Sequence, residues 1–247
     1  MHRFFWRWII PATILVLAGC DTSSTEGVSP KPGKAAAGDL VGWWKFDEEG
    51  GTTVSDSSGN DNTATIVNGG RSAGKIGNAL QMDGGNDSIV TIPLSDSLRS
   101  TADSITVMGW AYRTAEHNVD LVGHGFPPLF LGFHGPRFKW QIQNTAGKKA
   151  SCYADRKYHA DLNRWFHLAG TYDGRTARLY VDGEEICSVR PGSGGPIKMP
   201  EVPFTISGYL DKQGKIIDEI TGKIDDVRIY NGVLSAEKIR DIYNAYQ

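Results

Sequence analysis

The sequence predicts an all-β protein, an antiparallel two-sheet sandwich that ends in a short helix. Three observations carry this. From Leu40 onward the apolar runs are short and rich in β-branched and aromatic residues. Turn-forming residues separate the runs, and the 30 glycines fall mostly in clusters between them. Helical periodicity is confined to one stretch near the C-terminus.

Taken in order, residues 41–46 form the first predicted strand, turned by Glu48-Glu49-Gly50-Gly51. Asp56-Ser57-Ser58-Gly59-Asn60-Asp61-Asn62 is a dense loop signal. Strands over 63–67 and 78–82 follow, and a short one over 89–92 stops at Pro93. Residues 105–112 and 165–172 carry apolar side chains on both alternating sides, which predicts central strands covered on both faces. Leu179 and Val181 share one face of a strand over 178–181. Asp182-Gly183 then signals a type I′ turn, and 184–189 returns as its partner. Strands over 204–207 and 223–230 close the sheets. The helix is predicted over 235–245: Ser235 caps it, Glu237 sits in its first turn, and Ile239, Ile242, Tyr243 and Tyr246 share a face. Trp44, Trp110 and Trp165 are assigned to the core.

The 247 residues suit one large β domain or two small ones. The formal net charge is -2, with no basic stripe and no long run of like charge, so nucleic acid is excluded as a partner. The N-terminus carries a separate message. Arg3 and Arg7 precede an apolar run from Trp8 to Leu17, too short to span a bilayer as a stable helix. The run ends in Leu17-Ala18-Gly19-Cys20, which resembles the bacterial lipobox, where the cysteine is acylated and becomes the mature N-terminus. Residues 1–19 are therefore expected to be a lipoprotein signal peptide. Residues 20–38 are expected to be the lipidated Cys20 and a flexible linker of Thr, Ser, Pro, Gly, Ala and Lys, and residues 39–247 the folded domain. The expected location is outside the cytoplasm, anchored to a bacterial cell membrane through the lipid. Cys152 and Cys187 then remain as an even pair in an oxidising compartment, and a disulfide between them is expected.

Several segments resemble, in order, the laminin-G-like jelly-roll domains of the concanavalin-A-like lectin/glucanase superfamily. They include Val41-Gly42-Trp43-Trp44-Lys45-Phe46-Asp47, Gly77-Asn78-Ala79-Leu80-Gln81-Met82-Asp83-Gly84 and Ile105-Thr106-Val107-Met108-Gly109-Trp110. Trp165-Phe166-His167-Leu168-Ala169-Gly170-Thr171-Tyr172-Asp173-Gly174 and Gly222-Lys223-Ile224-Asp225-Asp226-Val227-Arg228-Ile229-Tyr230 continue the series. The resemblance covers about residues 39–247 and implies a jelly-roll sandwich.

It also implies a structural calcium, which many members hold. On a regular strand, Asp225 shares a face with Val227 and Ile229, and Asp226 faces the other way with Ile224 and Arg228. A carboxylate on an apolar face needs a partner or a metal. Asp56, Asn60 and Asp225 form the candidate calcium set, with plain turn chemistry and an arginine or backbone partner as the alternative. His117, His124 and His134 lie in the Gly- and Pro-containing stretch 114–136, with no metal-ligand spacing, and are assigned to packing or solvent. That stretch reads as irregular. Together with the loop 190–203, it is where a ligand face would lie.

Glucanases of the resembled superfamily carry two catalytic carboxylates along one strand, as Glu-x-Asp-x-Glu or Glu-x-Asp-x-x-Glu. No such run occurs here. Glu48-Glu49, Glu184-Glu185, Asp218-Glu219 and Asp225-Asp226 are adjacent pairs, which a regular strand sends to opposite faces. No Gly-x-Ser-x-Gly elbow, phosphate loop or Cys-x-x-Cys pair occurs either. No catalytic residue is assigned. The expected function is lectin-like binding of a glycan or protein ligand at the cell envelope. The alternatives are a glycan-active enzyme with carboxylates drawn from separate strands, and a structural envelope protein.

Overall fold

Alternation of buried and exposed residues, broken by left-handed turn residues, builds eighteen strands and two short helices in the computed structural model, which describes residues 38–85, 87–125 and 128–247. Cys20, the signal peptide and the linker lie outside the described residues. The first strands are β1 (Asp39–Trp44), β2 (Thr53–Val54), β3 (Ala64–Val67), β4 (Gly70–Ala73), β5 (Asn78–Asp83) and β6 (Ile89–Ile92). A one-turn helix, α1 (Asp96–Arg99), is capped by Ser95 and precedes β7 (Ile105–Arg113). Then come β8 (Val119–His124), β9 (Leu129–His134), β10 (Arg137–Gln143) and β11 (Lys149–Tyr153). They are followed by β12 (Trp165–Tyr172), β13 (Ala177–Val181) and β14 (Glu184–Val189). The chain ends with β15 (Phe204–Ile206), β16 (Tyr209–Leu210), β17 (Ile216–Ile217), β18 (Thr221–Asn231) and α2 (Ala236–Asn244).

These strands form the expected antiparallel sandwich. The first sheet runs β14-β13-β12-β7-β18-β5-β4, with β1 also paired to β18; the second runs β11-β10-β9-β8-β15-β6-β3-β2. β16 and β17 form a separate hairpin. The two inner faces share one core, in which Val107, Leu168, Ile224, Val227 and Ile229 of the first sheet meet Leu121, Leu131, Phe138, Trp140 and Phe204 of the second. Trp140 pins the layers together. Its indole N–H donates to the Thr171 carbonyl across the sandwich at 3.0 Å. Its ring occupies the space a side chain at Gly170 would take. Trp44 and Trp110 are buried as expected; Trp165 is only half-buried, packed beside Tyr112.

The predicted I′ turn is present: Asp182 and Gly183 both have positive φ, 49° and 80°. The helix α2 is capped by Ser235, which accepts from the Lys238 N–H at 3.2 Å. Ile239 and Ile242 pack on Met108, Ala169, Tyr180 and Tyr230, and Tyr243 stacks on Trp110 at 5.7 Å. The helix therefore covers the outer face of the first sheet. Cys152 on β11 and Cys187 on β14 are disulfide-bonded, with Cα atoms 5.8 Å apart.

Two expectations are corrected. The stretch 114–136, read as irregular, holds β8 and β9, which lie in the middle of the second sheet. In β18, Asp225 does not share a face with Val227 and Ile229. The pairing with β7 slips between Asp225 and Arg228, where Asp226 adopts φ 51°. This bulge resets the alternation. Ile224 joins Val227 and Ile229 in the core, while Asp225 pairs with Trp110, whose ring faces α2.

Candidate functional site

The outer face of the second sheet follows from the same alternation. Leu129, Leu131 and Phe133 of β9 and Phe138, Trp140 and Ile142 of β10 enter the core. Phe130, His134, Lys139 and Gln141 therefore point away from it. On β8 the pairing with β9 slips between Asp120 and Val122, so Leu121 and Val122 both reach the core while Asp120 turns outward opposite Gly132. Gly132 is required here, because a Cβ would run into the Val119 carbonyl and lie 2.9 Å from the Leu121 nitrogen.

The hairpin β16–β17 roofs this face. It is tied to β8 through the backbone: the Asp120 N–H donates to the Asp218 carbonyl at 3.0 Å, and the Gly208 N–H donates to the Asp120 carbonyl at 2.8 Å. Its turn is held by Asp211, whose carboxylate accepts from the Gln213 and Lys215 N–H groups at 2.8 and 2.9 Å. Tyr209 and Asp218 are thereby brought over β8. The result is a cavity of about 200 Å³ lined by Asn118, Asp120, Phe130, His134, Lys139, Gln141, Tyr209 and Asp218, among others.

Two carboxyl groups and two aromatic rings meet in this space. Asp120 is 2% exposed, and its Oδ1 has no hydrogen-bond partner. Burial pushes its carboxyl well above the usual carboxylate range, the neighbouring Asp218 adds to this, and Lys139 opposes it. Asp218 is also raised by burial, against the pull of Lys139, His117 and His134. Burial and the same two carboxylates push the Tyr209 phenol up to about 12. The Lys139 ammonium lies 4.2 Å from the Phe130 ring centre. Such a site offers acceptors, an amide and ring faces to a polar ligand.

The predicted site residues lie elsewhere. Asp56 Oδ1 accepts from the Trp43 and Ser58 N–H groups at 2.9 and 2.8 Å, and Oδ2 from Ser58 Oγ and the Asn62 N–H at 2.8 and 3.0 Å. Asn60 donates to the Leu40 carbonyl at 3.1 Å. Asp225 Oδ2 accepts from the Ile76 N–H at 2.8 Å, while Oδ1 is buried without a partner. Burial, with the Asp226 charge beside it, raises the Asp225 carboxyl to about 7, against the pull of the Ile76 N–H. Asp225 borders a second cavity, of about 140 Å³, together with Trp43, Lys45, Asp47, Ile76, Asp226 and Tyr246; Asp56 and Asn60 do not line it. Among the described residues no group of three or more His, Cys, Asp or Glu is placed to hold a metal ion.

Of the histidines, His124 is buried and stacked on Phe204 at 4.1 Å, and burial lowers it to about 4. His117 Nε2 lies 2.7 Å from the Glu219 carbonyl, and His134 is exposed at the cavity rim. The stretch 114–136 supplies Asn118, Asp120, Phe130 and His134 to this cavity, but sequence reading assigned no site role to Asp120, Lys139, Gln141, Tyr209 or Asp218. The strict alternation of Arg137-Phe138-Lys139-Trp140-Gln141-Ile142-Gln143 was the available signal for β10.

Residues 83–240 match the family model of laminin G type described as the concanavalin A-like lectin/glucanases superfamily. The chain belongs to this superfamily. No curated protein matches it. Among solved structures, the binding domain of Paraclostridial Mosquitocidal Protein 1 superposes with a TM-score of 0.66 at 16% identity, over 84% of this chain and 52% of that one. Domain 4 of AbnA, a GH43 extracellular arabinanase from Geobacillus stearothermophilus, was solved in complex with arabinotriose. It superposes with a TM-score of 0.64 at 19% identity, over 84% of this chain and 99% of that one. The binding domain of botulinum neurotoxin DC, solved in complex with SialylT, gives 0.64 at 16% identity, over 85% and 52%. This member of the superfamily thus spans about half of the two toxin binding domains and nearly all of the arabinanase domain. At these identities the likeness is one of fold.

Proposed function

We propose that this chain is an exported lipoprotein of a bacterial cell envelope, whose domain over 39–247 is a lectin-like module that binds glycans rather than cleaving them. The observation that carries the reading is the roofed cavity on the second sheet. There the unpartnered Oδ1 of Asp120 stands among an amide, a lysine and two aromatic rings. Sugars present hydroxyls that donate to carboxylates and C–H faces that pack on rings, so this lining suits them. Two of the similar folds were solved with arabinotriose and with SialylT, which supports the same class of ligand. The full chain, purified in detergent and applied to a glycan array in calcium and in chelator, should retain a defined set of oligosaccharides. Truncating the roof at Tyr209→Ala should reduce that signal about 10-fold or more, since a stacking ring contributes on the order of 1.5 kcal/mol. Absence of any retained glycan, in either condition, would count against the module being a lectin.

The membrane attachment rests on Cys20 and the run before it. Cells fed a fatty-acid analogue should label the wild-type chain and leave Cys20→Ala unlabelled. Label on the variant would show that the lipid is elsewhere.

A glycan-active enzyme is the second reading, favoured by one observation: Asp120 of β8 and Asp218, just after β17, place two carboxyl groups in one cavity. Release of new reducing ends from a retained glycan, lost in Asp218→Asn, would decide for it.

A further inference from the structure

We infer that the cavity on the second sheet sorts glycans by charge, admitting neutral polyhydroxylated sugars and refusing those that carry a carboxylate, and that Asp120 is the residue that sets this preference. The inference rests on the glycan-binding reading above.

The cavity measures about 200 Å³. Two acids face into it. Asp120 is 2% exposed, and its Oδ1 is buried with no donor. Asp218 is held beside it by the backbone bond from the Asp120 N–H to the Asp218 carbonyl. A buried oxygen without a donor is satisfied by a ligand hydroxyl, whose proton points at the acceptor and which brings no charge. A ligand carboxylate at the same point would shed its water to face two further acids, which outnumber the one ammonium, Lys139, that lines the cavity.

The cation in the cavity does not reverse this. Lys139 has its ammonium 4.2 Å from the centre of the Phe130 ring and 5.4 Å from that of Tyr153, held against two ring faces, and its one charge is already opposed to two acids. His134 sits at the exposed rim. Burial raises the carboxyls of Asp120 and Asp218, so the cavity disfavours negative charge, and a ligand carboxylate would meet the same resistance.

The test uses matched trisaccharides of the gluco, galacto and manno series. Each is offered as the neutral sugar and as the corresponding uronic acid, and affinity for the full chain is measured by calorimetry at neutral pH. At least one neutral trisaccharide should bind about 10-fold or more tightly than its uronic acid partner, as like-charge juxtaposition in a desolvated site requires. Asp120→Asn keeps the shape and removes one acid; it should weaken the neutral ligand and bring the neutral-to-uronate ratio to within about 3-fold. Lys139→Met should widen the ratio instead. A circular dichroism melt of each variant identifies any that fail to fold, and the remaining variant then carries the test. A uronate that binds as tightly as its neutral partner overturns the charge sorting and leaves the glycan reading standing. So does a ratio unmoved by Asp120→Asn. Binding to neither series, together with an empty glycan array, overturns both.

Discussion

Replacing Asp226 with alanine should cost about 3 to 5 kcal/mol of stability, the usual range when one member of a buried ion pair is removed. Asp226 is 4% exposed and Arg228 8%. Asp226 Oδ2 lies 2.8 Å from Arg228 Nη2, and Oδ1 accepts from Arg228 Nε and Nη2 at 3.3 and 3.1 Å. The same Oδ1 accepts the Trp43 indole N–H at 2.6 Å, tying β1 to β18. With the carboxylate gone, the guanidinium keeps the Tyr246 hydroxyl at 3.1 Å and the Trp43 ring at 4.5 Å, neither of which is a counter-charge. The backbone adds to the loss, because Asp226 sits at φ 51°, a region that aspartate and asparagine tolerate better than alanine. The midpoint of thermal unfolding should fall by about 10 °C for a domain of this size. Asp226→Asn separates the two contributions. It suits the left-handed backbone and can still accept the indole N–H, but it cannot neutralise Arg228, so it should fall between wild type and alanine. Combining Asp226→Leu with Arg228→Met should recover the part of the loss owed to the unpaired guanidinium, but not the backbone cost at φ 51° or the lost acceptor for the Trp43 indole. A loss below about 1 kcal/mol for Asp226→Ala would place the pair among exposed ion pairs in its energetics.

The bulge that creates this pair marks where sequence reading stops. Alternation and turn chemistry are local, and they located β6, β12 and β14 at their observed bounds and the turn at Asp182-Gly183 with the expected backbone. A bulge is a decision made by two strands together. Nothing in Ile224-Asp225-Asp226-Val227 says that Gly109 will be opposed by two residues, so the periodicity put Asp225 on the wrong face. The second sheet was obscured for a related reason. Gly123, Gly132 and Gly135, with Pro127, Pro128 and Pro136, read as loop residues. Gly135 does form a tight turn, with φ 57°. Gly132, however, lies inside β9, where the Val119 carbonyl approaches too closely for a side chain. The cavity was less legible still, because Asp120, Lys139, Tyr209 and Asp218 meet only once the hairpin β16–β17 has folded over β8. The disulfide, by contrast, was legible from the even pair of cysteines and the compartment expected for it.

That disulfide should contribute roughly 3 to 4 kcal/mol, the chain-entropy value for a loop of this length. Cys152 and Cys187 are 35 residues apart in sequence and sit on strands that each have a single neighbour. β11 pairs only with β10 and is the edge of the second sheet; β14 pairs only with β13 and is the edge of the first. The bridge therefore joins the two sheets at the side where hydrogen bonding ends, and edge strands are the ones that open first. Removing it releases denatured-chain entropy and frees both edges at once. The double variant Cys152→Ala/Cys187→Ala avoids a stray thiol and should unfold at a clearly lower urea concentration than the oxidised chain. The slope of the transition should be similar or slightly larger, as an unlinked denatured chain exposes more surface. Reductant should bring the wild type to nearly the same midpoint while leaving the variant unmoved. If oxidised and reduced wild type unfold together, the bridge holds strands that packing already holds. The lost stability would then have to be sought in the core around Cys152, which is itself fully buried.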